Sequence, residues 1–551
     1  MSKNRVWIAG VAGLILSFGN LLYAQNVTTS TTNPDAMLDV LKTLETKGVL
    51  THQEYEALKL KVTNDEQKAA EQQQTAVQQA VQQAAPQLKT VAMQDEQAKA
   101  DNTVTMMSSG VGFHAGRFDV SITGEVNGFY VQDRADTNSS HLTCLLCEAS
   151  AGNRPSGAIR SGLLPGDLSF KISTQEHGWD VAVFFGIWPA IQNNAGSPGT
   201  VEGGVPGQAA LGTPGIDFRQ QFATLGRAHV GTLKIGRDLG LFGQEAILND
   251  MTLLGAGSPG LSANGNVNPG NVTLGRIGVG YVYTDFLPQI TYSTPTRYGL
   301  SAAIGVFAPY NDPLSPAANL TGHGQPMIQG KLGFSAGRHG VKAKFWSNFM
   351  TQAEQAGLGG ASIGGFGSST GPCPTQTVPG QTEICTFPGS AGTVVLSQGN
   401  SVRAWGVDYG TALAFHGLGL VAYGYNGSGL GQAGLLWDGT GLSSTGGLTT
   451  RESSGYYVQP SFTFHKAFVG YSYGQSILTA ASAADASLLA GSYALGFRAN
   501  SSHIAQFRYA VTSWDNLVAE WTHTRSEVQG GTSATNITTS DSLAFGTIVF
   551  F

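Results

Sequence analysis

The stretch Phe118-Asp119-Val120-Ser121-Ile122-Thr123-Gly124-Glu125-Val126-Asn127-Gly128-Phe129-Tyr130 decides the fold. Successive side chains of an extended chain point to opposite faces. Phe118, Val120, Ile122, Val126 and Tyr130 therefore share one face, and Asp119, Ser121, Thr123, Glu125 and Asn127 share the other. One face is apolar and the other is wet. The same period of two returns at Val181, Val183, Phe185 and Ile187, then at Tyr298, Leu300, Ala302, Ile304 and Val306. Val341, Ala343 and Phe345 oppose Lys342, Lys344 and Trp346 in the same way. The pattern runs on through Tyr456, Val458, Phe462 and Phe464 to Leu543, Phe545, Val549 and Phe551. About sixteen strands of this kind fit the chain from residue 113 onward.

The connections carry as much information as the strands. Long segments rich in Gly, Ser, Asn and Pro lie near 132–165, 189–217, 238–284, 308–325, 351–400, 427–453, 477–490 and 528–540. Tight turns alternate with them, for example Pro295-Thr296-Arg297, Gly337-Arg338-His339 and His416-Gly417. An even strand number with long loops on one side and short turns on the other predicts an all-β fold, a 16-stranded antiparallel transmembrane β-barrel. Its apolar faces meet lipid and its polar faces line the lumen; open edges are not viable in hydrocarbon, so the sheet closes. Tyr281, Tyr283, Tyr292, Tyr471, Tyr473, Trp514 and Trp521, near predicted strand ends, suit interfacial girdles. A soluble β-sandwich or β-helix also alternates but does not account for the loop rhythm.

Composition agrees. Charged residues are 12% of the chain and Gly 75 of 551, which excludes a wholly disordered or coiled-coil protein. The formal charge of −6 offers no basic excess for nucleic acid. Past the first 25 residues no apolar run reaches the roughly 18 that a membrane helix needs. Lys3 and Arg5 ahead of the apolar Val6 to Leu22, with Tyr23-Ala24 before a plausible cut, read as a signal peptide over 1–24. Residues 25–112 read as a periplasmic helical and Gln-rich coiled-coil segment, and 113–551 as the barrel. Leu38, Leu41 and Leu44 recur at helical spacing before Gly48, and Thr51 with Glu54 forms a capping box opening a second helix. Val77, Val81, Ala84, Leu88 and Val91 then follow a coiled-coil seam that Pro86 interrupts.

In an exported chain, Cys144 with Cys147 and Cys373 with Cys385 fit two local disulfides better than a zinc site or a redox motif. No metal and no cofactor is expected. HExxH is absent, and no GxSxG, phosphate-cradling or dinucleotide fingerprint falls in a strand-to-helix setting, so the chain does not read as an enzyme. His177, His229, His339, His416 and His465 fall at predicted turns, which suits turn chemistry rather than a shared site.

If the alternation holds, Lys171, Arg219, Arg227, Lys234, Lys331, Lys342, Lys344, Arg498 and Arg508 line the pore, against Asp119, Glu125, Asp180, Asp408 and Glu520. A net basic wall predicts a moderate preference for small anions such as carboxylates. Residues 238–284 are too long for a simple connector. Folded inward, they would narrow the channel and set the acids Glu245 and Asp250 against the basic wall, creating a transverse field.

The run Gly231-Thr232-Leu233-Lys234-Ile235-Gly236-Arg237, followed by a long loop with scattered acids, resembles the strand before the constriction loop of Gram-negative trimeric porins. The terminal Phe551 resembles their assembly signal. The helical, Gln-rich preface is similar to that of the DcaP-type, dicarboxylate-associated porins. The resemblance implies a homotrimer in the outer membrane, among lipid and lipopolysaccharide, with the N-terminal segment in the periplasm and open to contact with peptidoglycan. The function it implies is passive diffusion of small hydrophilic solutes. The competing readings are an adhesin or structural barrel working through its loops, and a barrel hydrolase.

Overall fold

The computed structural model describes residues 34–49, 51–61, 64, 104–137, 155–189, 191, 216–260, 272–310, 324–355, 361–363, 383–385, 393–396, 401–444, 447–483, 485–486, 497–528 and 537–551. The chain divides into two units, Met1–Asp101 and Asn102–Phe551.

In the first unit, the helix Pro34–Thr46 ends at Gly48, whose φ of 71° lets its N–H donate to Glu45 O and that of Val49 to Leu44 O. The next helix, 52–61, opens on the capping box read from the sequence. Thr51 Oγ1 accepts from the Glu54 N–H at 3.3 Å, and the Glu54 carboxylate accepts from the Thr51 N–H at 3.0 Å. Among the described residues no helix is long and apolar enough to cross a membrane. The seam from Val77 to Val91 and the leader lie outside the described residues.

The second unit is built from sixteen long antiparallel strands: β1 Phe118–Thr137, β2 Asp167–Glu176, β3 Trp179–Pro189, β4 Ile216–Arg227, β5 Gly231–Leu239, β6 Phe286–Ser293, β7 Leu300–Phe307, β8 Met327–Arg338, β9 Val341–Gln355, β10 Ser401–Phe415, β11 Leu418–Ser428, β12 Glu452–Phe464, β13 Ala467–Thr479, β14 Phe497–Ala510, β15 Asp515–Val528 and β16 Ile537–Phe550. Each pairs with its neighbour, and β16 returns to β1 through the register Thr538↔Thr137 to Phe550↔Glu125, which closes the sheet. The C-terminus seals the seam: Gly124 and Phe551 exchange two backbone hydrogen bonds of 3.0 and 3.1 Å. Beyond that point the short strand Val111–Ala115 continues the pairing with β1.

Outward positions carry exposed apolar side chains on strand after strand, among them Val126, Phe218, Ile235, Leu332, Tyr409, Val469 and Phe545. A band of this extent on a water-facing surface would aggregate; facing lipid, it is the expected covering of a barrel. Three of the short hairpins, His177-Gly178, His339-Gly340 and His416-Gly417, have both central residues at positive φ. That geometry matches the twist of the flanking strands, and His is among the residues that tolerate it. Tyr298 does not extend β7 as its alternation suggests; it sits in the preceding turn at φ 52°. The girdle expectation also needs revision. Tyr292, Tyr471, Trp514 and Trp521 are exposed on the outside, but Tyr281 and Tyr283 belong to a segment folded into the lumen, where Tyr281 is fully buried. Cys144, Cys147 and Cys373 lie outside the described residues; Cys385 ends the short strand Glu383–Cys385, and its side chain does as well.

Candidate constriction site

The described parts of the connection between β5 and β6, residues 240–260 and 272–285, lie inside the lumen. Its base is closed by Gly240 N–H donating to Asp285 O at 3.0 Å. Three successive amides then point at the wall: those of Leu241 and Phe242 donate to Gln329 Oε1 at 2.7 and 2.9 Å, and that of Gly243 to Asp408 Oδ2 at 2.7 Å. Gly243 holds φ 73°, a left-handed conformation that Gly adopts without strain. A short helix, Gln244–Leu248, and a 3₁₀ turn, Met251–Leu254, follow.

Wall side chains from β12 to β15 continue the attachment. Tyr457 Oη donates to Ala246 O at 2.8 Å, and Gln459 both accepts from Met251 N–H at 2.9 Å and donates to Asn249 O at 3.0 Å. Gln506 Nε2 donates to Met251 O at 3.1 Å. Glu520 accepts the amides of Ala256 and Gly257. On the return, Gly280 N–H donates to Ser476 Oγ at 3.0 Å, and Tyr283 N–H to Ala433 O of the inward segment after β11 at 2.8 Å. The loop thus follows the inner wall from β8 to β15, satisfying buried backbone groups that would otherwise be orphaned.

Both predicted loop acids lie near cations, but neither stands open: Glu245 is held by wall lysines and Asp250 by groups of the loop itself. Glu245, nearly fully buried, receives Lys331 Nζ from β8 and Lys344 Nζ from β9, each at 2.5 Å. Burial works against its ionisation, yet the two ammoniums outweigh burial and hold its carboxyl below the usual carboxylate range. Asp250 caps the 3₁₀ turn through Thr252 N–H at 2.9 Å and accepts from Tyr281 Oη at 3.0 Å. Burial pushes its carboxyl up, opposed by the nearby Arg276 guanidinium. Arg276 is itself fully buried, donating to Val279 O at 3.0 Å and Ser502 O at 3.4 Å. The expected transverse field between open charges gives way to compact, mutually neutralised clusters, because an unpaired charge at this depth would be strongly disfavoured.

The remaining wall cations sort by face. Lys171 on β2 and Lys342 on β9 point inward near the short-turn end, exposed and in no ion pair among the described residues. Lys234 points inward over the Phe222 ring and pairs with Asp238. Arg508 points inward, 4.0 Å from the centroid of the Phe468 ring. Arg227 shares the outward face of β4 with Leu225 and lies 5.6 Å from the ring of the outward Trp179, so the expectation that it lines the pore is not met. Arg498 sits at a register irregularity at the long-loop end and pairs with Glu527 at 2.7 Å rather than facing the passage.

Arg219 reaches the lumen by a route that simple alternation does not give. The β3–β4 register shifts between Gly186↔Gln220 and Trp188↔Asp217, leaving one extra residue in β4. The bulge sends Phe218 outward and turns Arg219 inward together with Gln220. Its guanidinium lies 5.5 Å from the Trp188 ring and 5.3 Å from that of Phe286. Gly186 makes room for this arrangement, since a Cβ there would sit 2.7 Å from Trp188 Nε1.

Between the bulge and the loop the described residues leave a cavity of about 260 Å³. Its far side carries Trp188, Arg219, Gln220 and Phe286, and its near side Ile247, Leu248, Leu253, Leu274 and Ile277 of the loop. Leu163 and Leu164, from the connection between β1 and β2, and Trp437, from the segment after β11, complete it. Sequence reasoning located the loop but missed the anchoring glutamines and this apolar lining. Only the inward parity of Gln329, Gln459 and Gln506 signals the former, and the Leu/Ile content of 247–277 the latter.

No protein-family model matches the sequence, and no curated protein is detectably similar to it. Among solved structures, the anion-selective porin from Comamonas acidovorans aligns over 79% of this chain and 100% of its own, at 12% identity and a TM-score of 0.46. The outer membrane channel DcaP of Acinetobacter baumannii aligns over 81% of this chain and 99% of its own, at 11% identity and a TM-score of 0.50. In fold, then, the chain is a closed sixteen-stranded barrel similar to DcaP.

Proposed function

We propose that this chain is a porin of the Gram-negative outer membrane, a passive channel for small solutes. One observation carries the reading: residues 240–260 and 272–285 fold inward along the barrel wall and narrow the interior to a cavity, rather than capping the mouth from outside. An internal loop fixed at many points on the wall is the device that sets the bore of a diffusion channel; an adhesin has no use for it. The similarity in fold to DcaP, an outer membrane channel, supports the same reading.

A moderate anion preference follows from the exposed inward cations. Lys171 and Lys342 face the lumen toward the short-turn end, beside a partly exposed Lys344. Of the inward acids there, Asp119 is hydrogen-bonded to His114 at 2.6 Å and Asp180 to the neutral Gln175 at 2.9 Å; both still count as negative charges and are outnumbered by Lys171, Lys342 and Lys344 together. Charge lining a narrow aqueous passage biases which ions enter. We further propose a homotrimer embedded in outer-membrane lipid, with the N-terminal helices in the periplasm.

Reversal potentials across planar bilayers in a salt gradient test the preference. The wild type should favour anions, and Lys171→Glu with Lys342→Glu should move the reversal potential toward cations. Cation preference in the wild type would overturn the wall assignment, and an electrically silent but folded protein would favour the adhesin. Cross-linking with and without residues 35–100 tests the trimer and the role of the N-terminal segment in it.

A further inference from the structure

The cavity between the inward loop and the β4 bulge is lined mostly by hydrocarbon, although sequence charge counting points to a ring of opposed charges. Glu245 is neutralised by wall lysines and Asp250 is buried within the loop itself, so the loop presents Ile247, Leu248, Leu253 and Ile277 to the gap. Leu248 is 54% exposed, an apolar side chain standing free inside the barrel. Flat surfaces face it: the indole of Trp188, the ring of Phe286 and the guanidinium of Arg219 stacked close to both.

We propose that this cavity is a binding site on the translocation path for solutes carrying one aromatic ring, the ring resting against Trp188 and Phe286 while any charged group trails into the aqueous vestibule. An apolar cavity of roughly 150 Å³ already holds benzene. The 260 Å³ available here accommodates a substituted ring with a short chain. Aromatic rings gain from offset or edge contacts with Trp and Phe beyond simple burial. Water is held weakly in a hydrophobic constriction, which impedes small inorganic ions by dewetting but not a solute that displaces that water with its own apolar body. The passage therefore discriminates by the apolar part of the solute, with the wall lysines acting at the entrance.

This inference rests on the channel reading, and one experiment separates the two. Full-length protein is reconstituted in planar bilayers, and the ion current is titrated with 3-phenylpropanoate and, separately, with propanoate, two anions of equal charge that differ by the ring. The expected result is a half-blocking concentration at least tenfold lower for the aryl compound. Leu248→Gln, at an exposed position that folding does not depend on, should weaken block by 3-phenylpropanoate at least threefold and leave propanoate unaffected. Leu253→Gln should act in the same direction. Stepwise current with equal block by the two anions would overturn the aromatic site, and ring-selective block insensitive to both substitutions would remove it from this cavity. Absence of any current would instead overturn the channel reading itself.

Discussion

Glu245→Gln is the most informative single change. The substitution keeps the shape of the side chain and removes the charge that holds Lys331 and Lys344, both at 2.5 Å. Breaking a buried ion pair by deleting one partner costs about 3–5 kcal/mol. The Lys331 side chain is 19% exposed and fits that regime at its lower end; that of Lys344 is 42% exposed, so solvent screening reduces its share to below about 1 kcal/mol. The attachment of the helix Gln244–Leu248 to the wall should weaken by about 3 kcal/mol in total. The sheet is held by its own ladders, so the loss should appear as loop opening rather than barrel unfolding.

Removing the carboxylate also leaves an extra net positive charge beside the passage. At about 5 Å through water such a charge is worth about 0.8 kcal/mol to a passing monovalent ion, before salt screening. Attraction of anions and repulsion of cations multiply, so the anion-to-cation permeability ratio should rise by about tenfold at low salt. Bilayer reversal potentials measure the ratio, and open-channel noise reports the loosened loop. An unchanged ratio together with unchanged noise would refute the assignment of Glu245 as the neutralising anchor.

Further outcomes follow from other contacts. Because the Glu245 carboxyl is held below its ordinary value of 4.5 in the folded state, its anchoring contribution is complete above that value and fades as pH falls through the lower folded one. Channel noise in the wild type should thus rise as pH falls below the ordinary value of 4.5 and should show no such dependence in Glu245→Gln. Arg451 and Asp485 form a buried two-pronged pair with bonds of 2.8 and 2.9 Å. Arg451→Met should destabilise the segment after β11 by about 3 kcal/mol, visible as faster amide exchange across 429–442 while the strands stay protected. Deleting Phe551 removes two backbone bonds at the closure seam and should cost about 2 kcal/mol. A lower unfolding midpoint on heat-modifiability gels would report it, and an unchanged midpoint would contradict the seam.

The barrel was legible in the sequence because a strict period of two cannot be mistaken for a helix, and because long and short connections alternate with it. Departures from that period were not. Nothing in the composition of β4 announces the extra residue that turns Arg219 inward while Arg227 stays outside beside Trp179. Tyr281 and Tyr283 are spaced like strand residues, but positive φ at Gly278 and Gly280 makes the segment a turn inside the lumen. The inward loop itself could be read from its length. That Glu245 is quenched by lysines 86 and 99 residues away depends on the closed geometry, which local spacing does not carry. The apolar lining of the gap emerged only once these ion pairs had taken the acids out of it.

The account stands or falls on whether this cylinder conducts. Single-channel recording of the purified, folded protein in planar bilayers at high salt tests that directly: discrete, reproducible current steps are predicted, whereas membranes that stay silent after verified insertion would contradict the claim that the loop narrows an open passage.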